Sequence, residues 1–429
     1  MPPIRAVSNT DLGIRLLGDQ TEYAPGDTIV GYVSRSKHLV AQISSLSIQL
    51  VGRTVSKTPI NCENGSRYHG RFNLIPRPAK QKLHQGPLHV TDGYETSWRF
   101  AIKIPEYVDP EDFKGGNPGE SYLSLDVTNN PLPSTFTLGG ERSEAFVEYF
   151  IGACLRTMNE DGVNKWIAKF PVTVTNHRPF LGSRLHRQIY FYSMTSPHLL
   201  GMGETKPSLS QTVKQAMGIS SVPRLEFNLQ VEMPSAIQLN DPSPIPIRLR
   251  AIMNRDLTSK NIRNKPLKIK LSWISIQIIA TTEILCQGAH TAEEESEANL
   301  DITSRIPIQE QEIYIPCTEH GSFIDVGELV DLRLDRYCNP CREHQEPTLF
   351  TPTFVTYNIR LSHRLSWTMV FEVAGQAFKL ADTIMLTILG PSDQGMDESS
   401  VSWSQSEADI RHSWDSEEDF VTWRTPKID

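Results

Sequence analysis

The sequence predicts an all-β chain of two related β domains in tandem, and three observations carry that expectation. The first is a period-2 pattern over residues 355–373. Its odd positions, among them Val355, Tyr357, Ile359, Leu361, Trp367, Met369 and Phe371, are apolar apart from His363, while the even ones are mostly Thr, Asn, Arg, Ser and Glu. Such alternation marks a strand, or two in line, with one face buried. Gly375 breaks the pattern, and Phe378, Leu380, Ile384, Leu386 and Ile388 supply an antiparallel return strand. His363 on the apolar face reads as a hydrogen-bonded core histidine. The second observation is an earlier unit of the same kind. Val147, Tyr149, Ile151, Ala153 and Leu155 alternate, Asp161-Gly162 offers a turn, residues 166–174 run back, and a proline-bearing loop precedes each unit. The third is composition: 38% hydrophobic residues with 29 Pro and 26 Gly in 429 residues suit strands joined by many turns, in a chain long enough for two or three full cores.

No apolar run approaches the roughly 18–20 residues of a membrane span, and the first eleven residues lack the apolar centre of a signal peptide. Six scattered cysteines do not make a disulfide framework and read as reduced thiols, so the expected compartment is the cytoplasm. The net charge of -8 is unevenly placed. From Ser392 onward ten acidic residues face three basic ones, so nearly all of the excess belongs to the tail.

In chain order, residues 12–17 give a short strand. Tyr23-Ala24-Pro25-Gly26-Asp27 gives a turn in which Pro presets φ, Gly accepts φ > 0 and Asp can bond its own backbone. Ile29, Gly31 and Val33 follow as a second strand, and Leu46, Ile48 and Leu50 as a third that ends at Gly52.

These residues carry a resemblance. Tyr23-x-Pro25-Gly26-Asp27, then Val30-Gly31-Tyr32-Val33, then Ile48-Gln49-Leu50-Val51-Gly52 resembles the opening of an arrestin N-terminal domain, particularly of the α-arrestin group. Gly93-Tyr94-Glu95 leading through Trp98-Arg99-Phe100 to Ile104-Pro105 is similar to a further family strand. Leu132-Pro133-Ser134-Thr135-Phe136 ahead of residues 147–155 is similar to another. The resemblance implies the arrestin fold: two immunoglobulin-like β-sandwiches in tandem, the first over residues 1–176.

Residues 177–222 break the strand pattern with Pro179, Pro197, Pro207, Gly182, Gly201, Gly203 and Gly218, and are expected to form the interdomain linker. A short helix capped by Ser208 is expected over residues 208–217, with Tyr190-Phe191-Tyr192 packed on a domain surface. The second domain, residues 223–391, opens on the alternation Leu225, Phe227, Leu229, Val231. In Leu267, Ile269, Leu271, Trp273 and then Ile274, Ile276, Ile278 the apolar face changes sides, which signals a β-bulge. Residues 292–301, with Glu293, Glu294, Glu295 and Glu297, read as a solvated insertion loop. The acidic tail, residues 392–429, reads as disordered.

Three stretches could carry chemistry. Cys317-x2-His320 precedes Cys338-x2-Cys341, and two-residue spacers let a turn bring soft ligands to one Zn²⁺, so a Cys₃His tetrahedron is geometrically reasonable. An ordinary turn through Pro340 accounts for the same residues, and the resemblance implies no cofactor. The second stretch is basic. Arg67, Arg71, Arg77, Lys80 and Lys82 fall within an acid-free run, and Arg248, Arg250, Lys268 and Lys270 belong to a second run whose one acid is Asp256. Such patches suit phosphorylated tails or anionic lipid, at about 1 kcal/mol per basic residue near a membrane. The polar positions of half-buried strands give the same spacing. Nucleic acid is not an expected partner, since the isoelectric point is near 5.9 and the patches lack stacking aromatics. In the tail, Ser404, Ser406 and Ser416 each have an acid three residues on, as acidophilic kinases prefer. The tail could fold back on a basic patch or simply solubilise the chain.

No Gly-x-Ser-x-Gly, phosphate loop or His-Glu-x-x-His is present, so no catalytic residue is expected. The resemblance implies a non-catalytic adaptor that links membrane cargo, such as transporters or receptors, to a ubiquitin ligase and endocytic sorting, recruited peripherally to plasma membrane or endosomes. The Pro-Pro-x-Tyr and Leu-Pro-x-Tyr ligase-binding peptides of α-arrestins are absent. The nearest stretch, Ile104-Pro105-Glu106-Tyr107, closes a strand of the first domain, which leaves an indirect route to a ligase or a separate role. The alternatives are an arrestin-fold coat subunit of the retromer kind, or a β-sandwich enzyme or zinc protein using the Cys/His cluster.

Overall fold

Long alternating runs become long strands. In this computed structural model every odd residue of Ile359–Val373 is buried and every even one half-buried, as a strand with one face on a core requires. The structure describes residues 11–18, 20, 22–59, 67–75, 80–108, 121–123, 130–139, 143–159, 162–177, 184–200, 222–286, 290–300, 312–334, 337–338 and 348–391. The tail beyond residue 391, with Ser404, Ser406 and Ser416, and the expected helix over 208–217 lie outside them.

The first ten strands are β1 (Gly13–Leu16), β2 (Glu22–Tyr23), β3 (Thr28–Arg35), β4 (Leu39–Pro59), β5 (Arg67–Asn73), β6 (Gln81–Val90), β7 (Thr96–Lys103), β8 (Phe136–Gly139), β9 (Glu144–Asn159) and β10 (Gly162–Val174). A small sheet, β1-β3-β7, faces a larger one ordered β2-β10-β9-β4-β5, with β6 also on β4 and β8 on β9. Ile29, Val33, Phe100 and Ile102 from the small sheet meet Leu46, Ile48, Leu50 and Ile151 from the large one in a shared core. The expected turn is present: Asp27 accepts from the Ala24 amide at 2.7 Å, and Gly26 sits at φ 97°. Gly31 is required by close packing, because a Cβ there would lie 2.4 Å from the Arg15 carbonyl oxygen on β1.

The remaining strands are β11 (Leu185–Thr195), β12 (Arg224–Pro234), β13 (Ala236–Gln238), β14 (Arg248–Met253), β15 (Leu267–Cys286), β16 (His290–Asn299), β17 (Ile313–Thr318), β18 (Ile324–Asp325), β19 (Tyr337–Cys338), β20 (Thr348–Leu349), β21 (Phe354–Val355), β22 (Ile359–Val373) and β23 (Gln376–Leu389). Most join in the order β11-β12-β14-β17-β15-β22-β23-β13. That sheet folds over on itself. Tyr190 on β11 packs edge-on against Trp367 on β22 and donates to Asp382 on β23 at 2.9 Å, and Tyr192 sits 4.3 Å from the Phe378 ring. The result is a second β-sandwich with its own core.

Three expectations change. Residues 185–195, read as part of a linker, form β11 in unbroken register with β12 from Leu185↔Pro234 to Thr195↔Arg224. Its aromatic residues alternate inward, a signal the flanking prolines and glycines masked. The glutamate-rich segment read as a loop is β16, paired along β15 from Gln277↔Asn299 to Cys286↔His290. The charges line an edge strand, where they are solvated. Residues 355–373 are not two strands in line, because β21 turns back on β22 through Phe354↔Leu361. The expected bulge is present, between Leu271 and Trp273, and it turns Trp273 out to 40% exposure.

Candidate functional site at the seam between the two cores

The strand pair β15–β22 crosses from one core to the other. Ile274, Ile276 and Ile278 with Leu365, Trp367 and Met369 belong to the second core. Further along, Ile284 and Cys286 with Ile359 and Leu361 belong to the first. The inner face of β4 changes character where it meets them. Leu46, Ile48 and Leu50 give way on the same face to Gly52, Thr54, Ser56 and Thr58.

These small polar residues make a buried lock. The Thr54 hydroxyl donates to Asn358 Oδ1, Asn358 Nδ2 donates to Ser56 Oγ at 2.8 Å, and Ser56 Oγ donates to the Leu285 carbonyl at 2.7 Å. Thr54, Ser56 and Asn358 are all essentially without exposure. Gly70 on β5 closes the lock, since a Cβ there would stand 2.4 Å from Ser56 Oγ and 2.7 Å from the Leu285 carbonyl oxygen. On the opposite face of β4, buried ion pairs join Arg53 to Glu148 and Lys57 to Glu144.

Two hollows open along the seam. One, of about 250 Å³, lies between Asn130, Pro133 and Asn176 on the first sandwich and Thr353, Phe354 and Ile388 on the second. The other, of about 320 Å³, is lined by Thr135–Leu138 of the first and by β15, β16 and β22 of the second, including His363. His363 is 2% exposed, with Nδ1 2.9 Å from Thr353 Oγ1. Burial pushes its pKa down to about 4. It is neutral at pH 7, the hydrogen-bonded core histidine the strand pattern implied.

The two basic runs end in different states. In the second, Arg248 pairs with Asp325, and Arg250 donates to Gln230 and lies 4.3 Å over the Phe323 ring. Lys268 lies 5.7 Å over Tyr314, and Lys270 bonds Glu312 at 2.7 Å. Alternating strand positions account for this run, and of its four cations Arg248 and Lys270 meet carboxylates while Arg250 and Lys268 rest on neutral groups. In the first run, Arg71, Lys80 and Lys82 are exposed, and among the described residues Lys82 donates only to the neutral Gln85, at 2.6 Å. The side chain of Arg67 and all of Arg77 lie outside the described residues.

The Cys/His cluster is divided. Cys317 sits 1% exposed in the second core, on β17 between β14 and β15, and burial pushes its thiol up to about 12. His320 is exposed, while the Cys338 side chain and Cys341 lie outside the described residues. Among the described residues no three His, Cys, Asp or Glu side chains group as metal ligands, and no helix is long and apolar enough to cross a membrane. No family model matches the chain, and no curated protein matches it.

Sequence reasoning missed the lock. Its signal was legible as the change from Leu46, Ile48 and Leu50 to Thr54, Ser56 and Thr58 on one face of one strand. The partner Asn358 comes from a segment some three hundred residues away, which no local pattern links to it.

Proposed function

We propose that this protein is a non-catalytic adaptor of the arrestin fold, two immunoglobulin-like sandwiches in tandem followed by a disordered acidic tail, which engages the cytosolic segments of membrane transporters or receptors. The observation that carries the reading is the joining of two β-sandwich cores by one long strand pair, β15–β22, in a chain whose first half also carries the arrestin-like motifs in order. Such a body offers sheet edges and clefts for recognition. The exposed basic residues Arg71, Lys80 and Lys82 of the first sandwich are better suited to phosphorylated or lipid anions than the partnered cations of the second. Recruitment of a ubiquitin ligase is indirect in this proposal, and the tail carries the phosphorylation sites.

The test is affinity purification of the tagged full-length protein from its own cells after mild crosslinking, with partners identified by mass spectrometry. Permeases or receptors together with a ubiquitin ligase are expected. A fixed set of coat subunits would replace the adaptor reading with that of a trafficking coat component.

A further inference from the structure

The larger hollow at the seam holds a polar group that neither sandwich satisfies. Its floor is one face of the β15–β22 pair: Ile278, Ala280 and Thr282 alternate along β15, and Leu361 and His363 along β22. Ala280 stands directly opposite His363 on β22 and Ser296 on β16. An alanine at that crossing, flanked by Ile278 and Thr282, is what leaves room beside the imidazole. Buried Phe136 and Phe350 add apolar wall, and the volume of about 320 Å³ lies at the low end of small-molecule sites.

The hydrogen bonds of His363 fix which atom is left for an occupant. Thr353 Oγ1 accepts from the Ile388 amide at 2.9 Å, and it lies 2.9 Å from His363 Nδ1. One lone pair of the hydroxyl is therefore taken, and among the described residues its own hydrogen has Nδ1 as its one acceptor. When the hydroxyl donates to Nδ1, a neutral imidazole carries its hydrogen on Nε2. Nε2 makes no hydrogen bond among the described residues, although the side chain is 2% exposed and lines the hollow. A buried donor left without an acceptor is costly, so the site favours an occupant that supplies one. A water molecule can satisfy Nε2 but cannot dry the apolar floor; a compact organic molecule does both.

Charge narrows the class. Among the lining residues Glu297 is the one with a formal charge, and it is exposed. An anion would meet a carboxylate and no cation on the wall, while a cation would meet the hydrogen of Nε2 and an apolar floor. A neutral molecule avoids both penalties.

We infer that this hollow binds a compact neutral molecule, apolar over most of its surface, whose carbonyl oxygen accepts a hydrogen bond from His363 Nε2. This goes beyond the adaptor reading and does not depend on it, because the floor, the donor and the charge are local properties of the hollow.

The test uses the full-length protein and two neutral ketones, indanone and the fluorescent naphthyl ketone Prodan, with a counterpart of Prodan that carries propyl in place of the propionyl group. Prodan emission is expected to rise and shift to the blue saturably, with indanone displacing it, and the counterpart should bind about tenfold more weakly. Ala280→Phe fills the space beside the imidazole and should abolish binding of both ketones. His363→Leu should weaken Prodan about tenfold and leave the counterpart unchanged, whereas His363→Gln, whose side-chain amide can donate from the same region, should stay within about threefold of the wild type. No saturable binding of either ketone, or unaltered binding in Ala280→Phe, would overturn the inference. Equal affinity for Prodan and its counterpart would also overturn it, by showing that Nε2 donates to nothing in the occupant. If His363→Leu fails to fold, the ratio of the two naphthalenes in the wild type and the Ala280→Phe result still decide.

Discussion

The two sandwiches differ in what each owes the other. The second core is drawn entirely from Tyr190 onward, whereas the first takes Ile284, Cys286, Ile359 and Leu361 from strands that begin or end in the second, and Tyr357 from the turn between β21 and β22. The debt runs one way. The second sandwich is a self-contained platform, and β15 and β22 project from it to wall the first. A boundary drawn along the sequence near residue 177 therefore does not coincide with the boundary between cores.

The sharpest way to break this comparison is to cut a side chain on the projecting strands. Ile359→Ala removes a fully buried side chain and should cost about 2–5 kcal/mol. Hydrogen exchange would locate the loss: amides of β9 and of β22 should both lose protection. Ile48→Ala, of similar cost, should lower protection in β9 while sparing β12 and β14. Equal spreading of both effects would show that the two cores unfold as one.

His363 supplies the next largest effect, through pH. Its folded pKa of about 4 lies below the ordinary value of 6.5, so the unfolded chain binds the proton first. The stability from keeping it neutral is complete above pH 6.5 and is lost as pH falls from there through 4. The shift corresponds to about 3 kcal/mol. Denaturant midpoints measured across that window should fall in the wild type and fall less steeply in His363→Gln. An unchanged slope would mean that His363 takes up its proton without cost in the folded state.

How much of this was legible in the sequence depends on the range of the physics. The hairpin β22–β23 was read apart from its first four residues, because burial of one face imposes a period that needs no knowledge of what covers it. β11 was missed because Pro197, Gly182 and the glycines beyond it outweighed a short alternation of Tyr190 and Tyr192 with Phe191, which is 79% exposed. β16 was missed because an edge strand carries its charges outward and looks like a loop. The second basic run was visible as charge. That its cations have partners was not, since Asp325, Glu312 and Gln230 reach it from other strands. The hollow lined by residues 135–138 and 296–298 joins segments far apart in the chain, and only the assembled seam brings them together.

The seam itself gives a smaller effect than either core. Asn358→Ala strips the Thr54 and Ser56 hydroxyls of a buried partner, at about 2–3 kcal/mol. Gly70→Ala keeps every hydrogen-bonding group but forces a methyl against Ser56 and the Leu285 carbonyl, at about 1–3 kcal/mol. Both losses should appear in the first sandwich ahead of the second, because the lock fastens the borrowed wall to β4. If Asn358→Ala instead weakens β12 and β14 first, the platform is the first sandwich and the direction of the debt is reversed.

The smallest effect belongs to an ion pair of the second basic run. Lys270 and Glu312 are bonded at 2.7 Å on the surface, where solvent and salt screen the pair and side-chain entropy offsets its attraction. Lys270→Ala should leave the denaturant midpoint where it is. It should also leave binding to vesicles of phosphatidylserine and phosphatidylcholine unchanged, whereas Lys80→Ala with Lys82→Ala in the first run should weaken it. The contrast is informative because both runs read as basic patches in sequence, whereas Lys270 has Glu312 and Lys80 and Lys82 have no carboxylate among the described residues. Equal loss in the two variants would mean that the Glu312 pairing yields to a lipid headgroup, and the second run would then count as binding surface alongside the first.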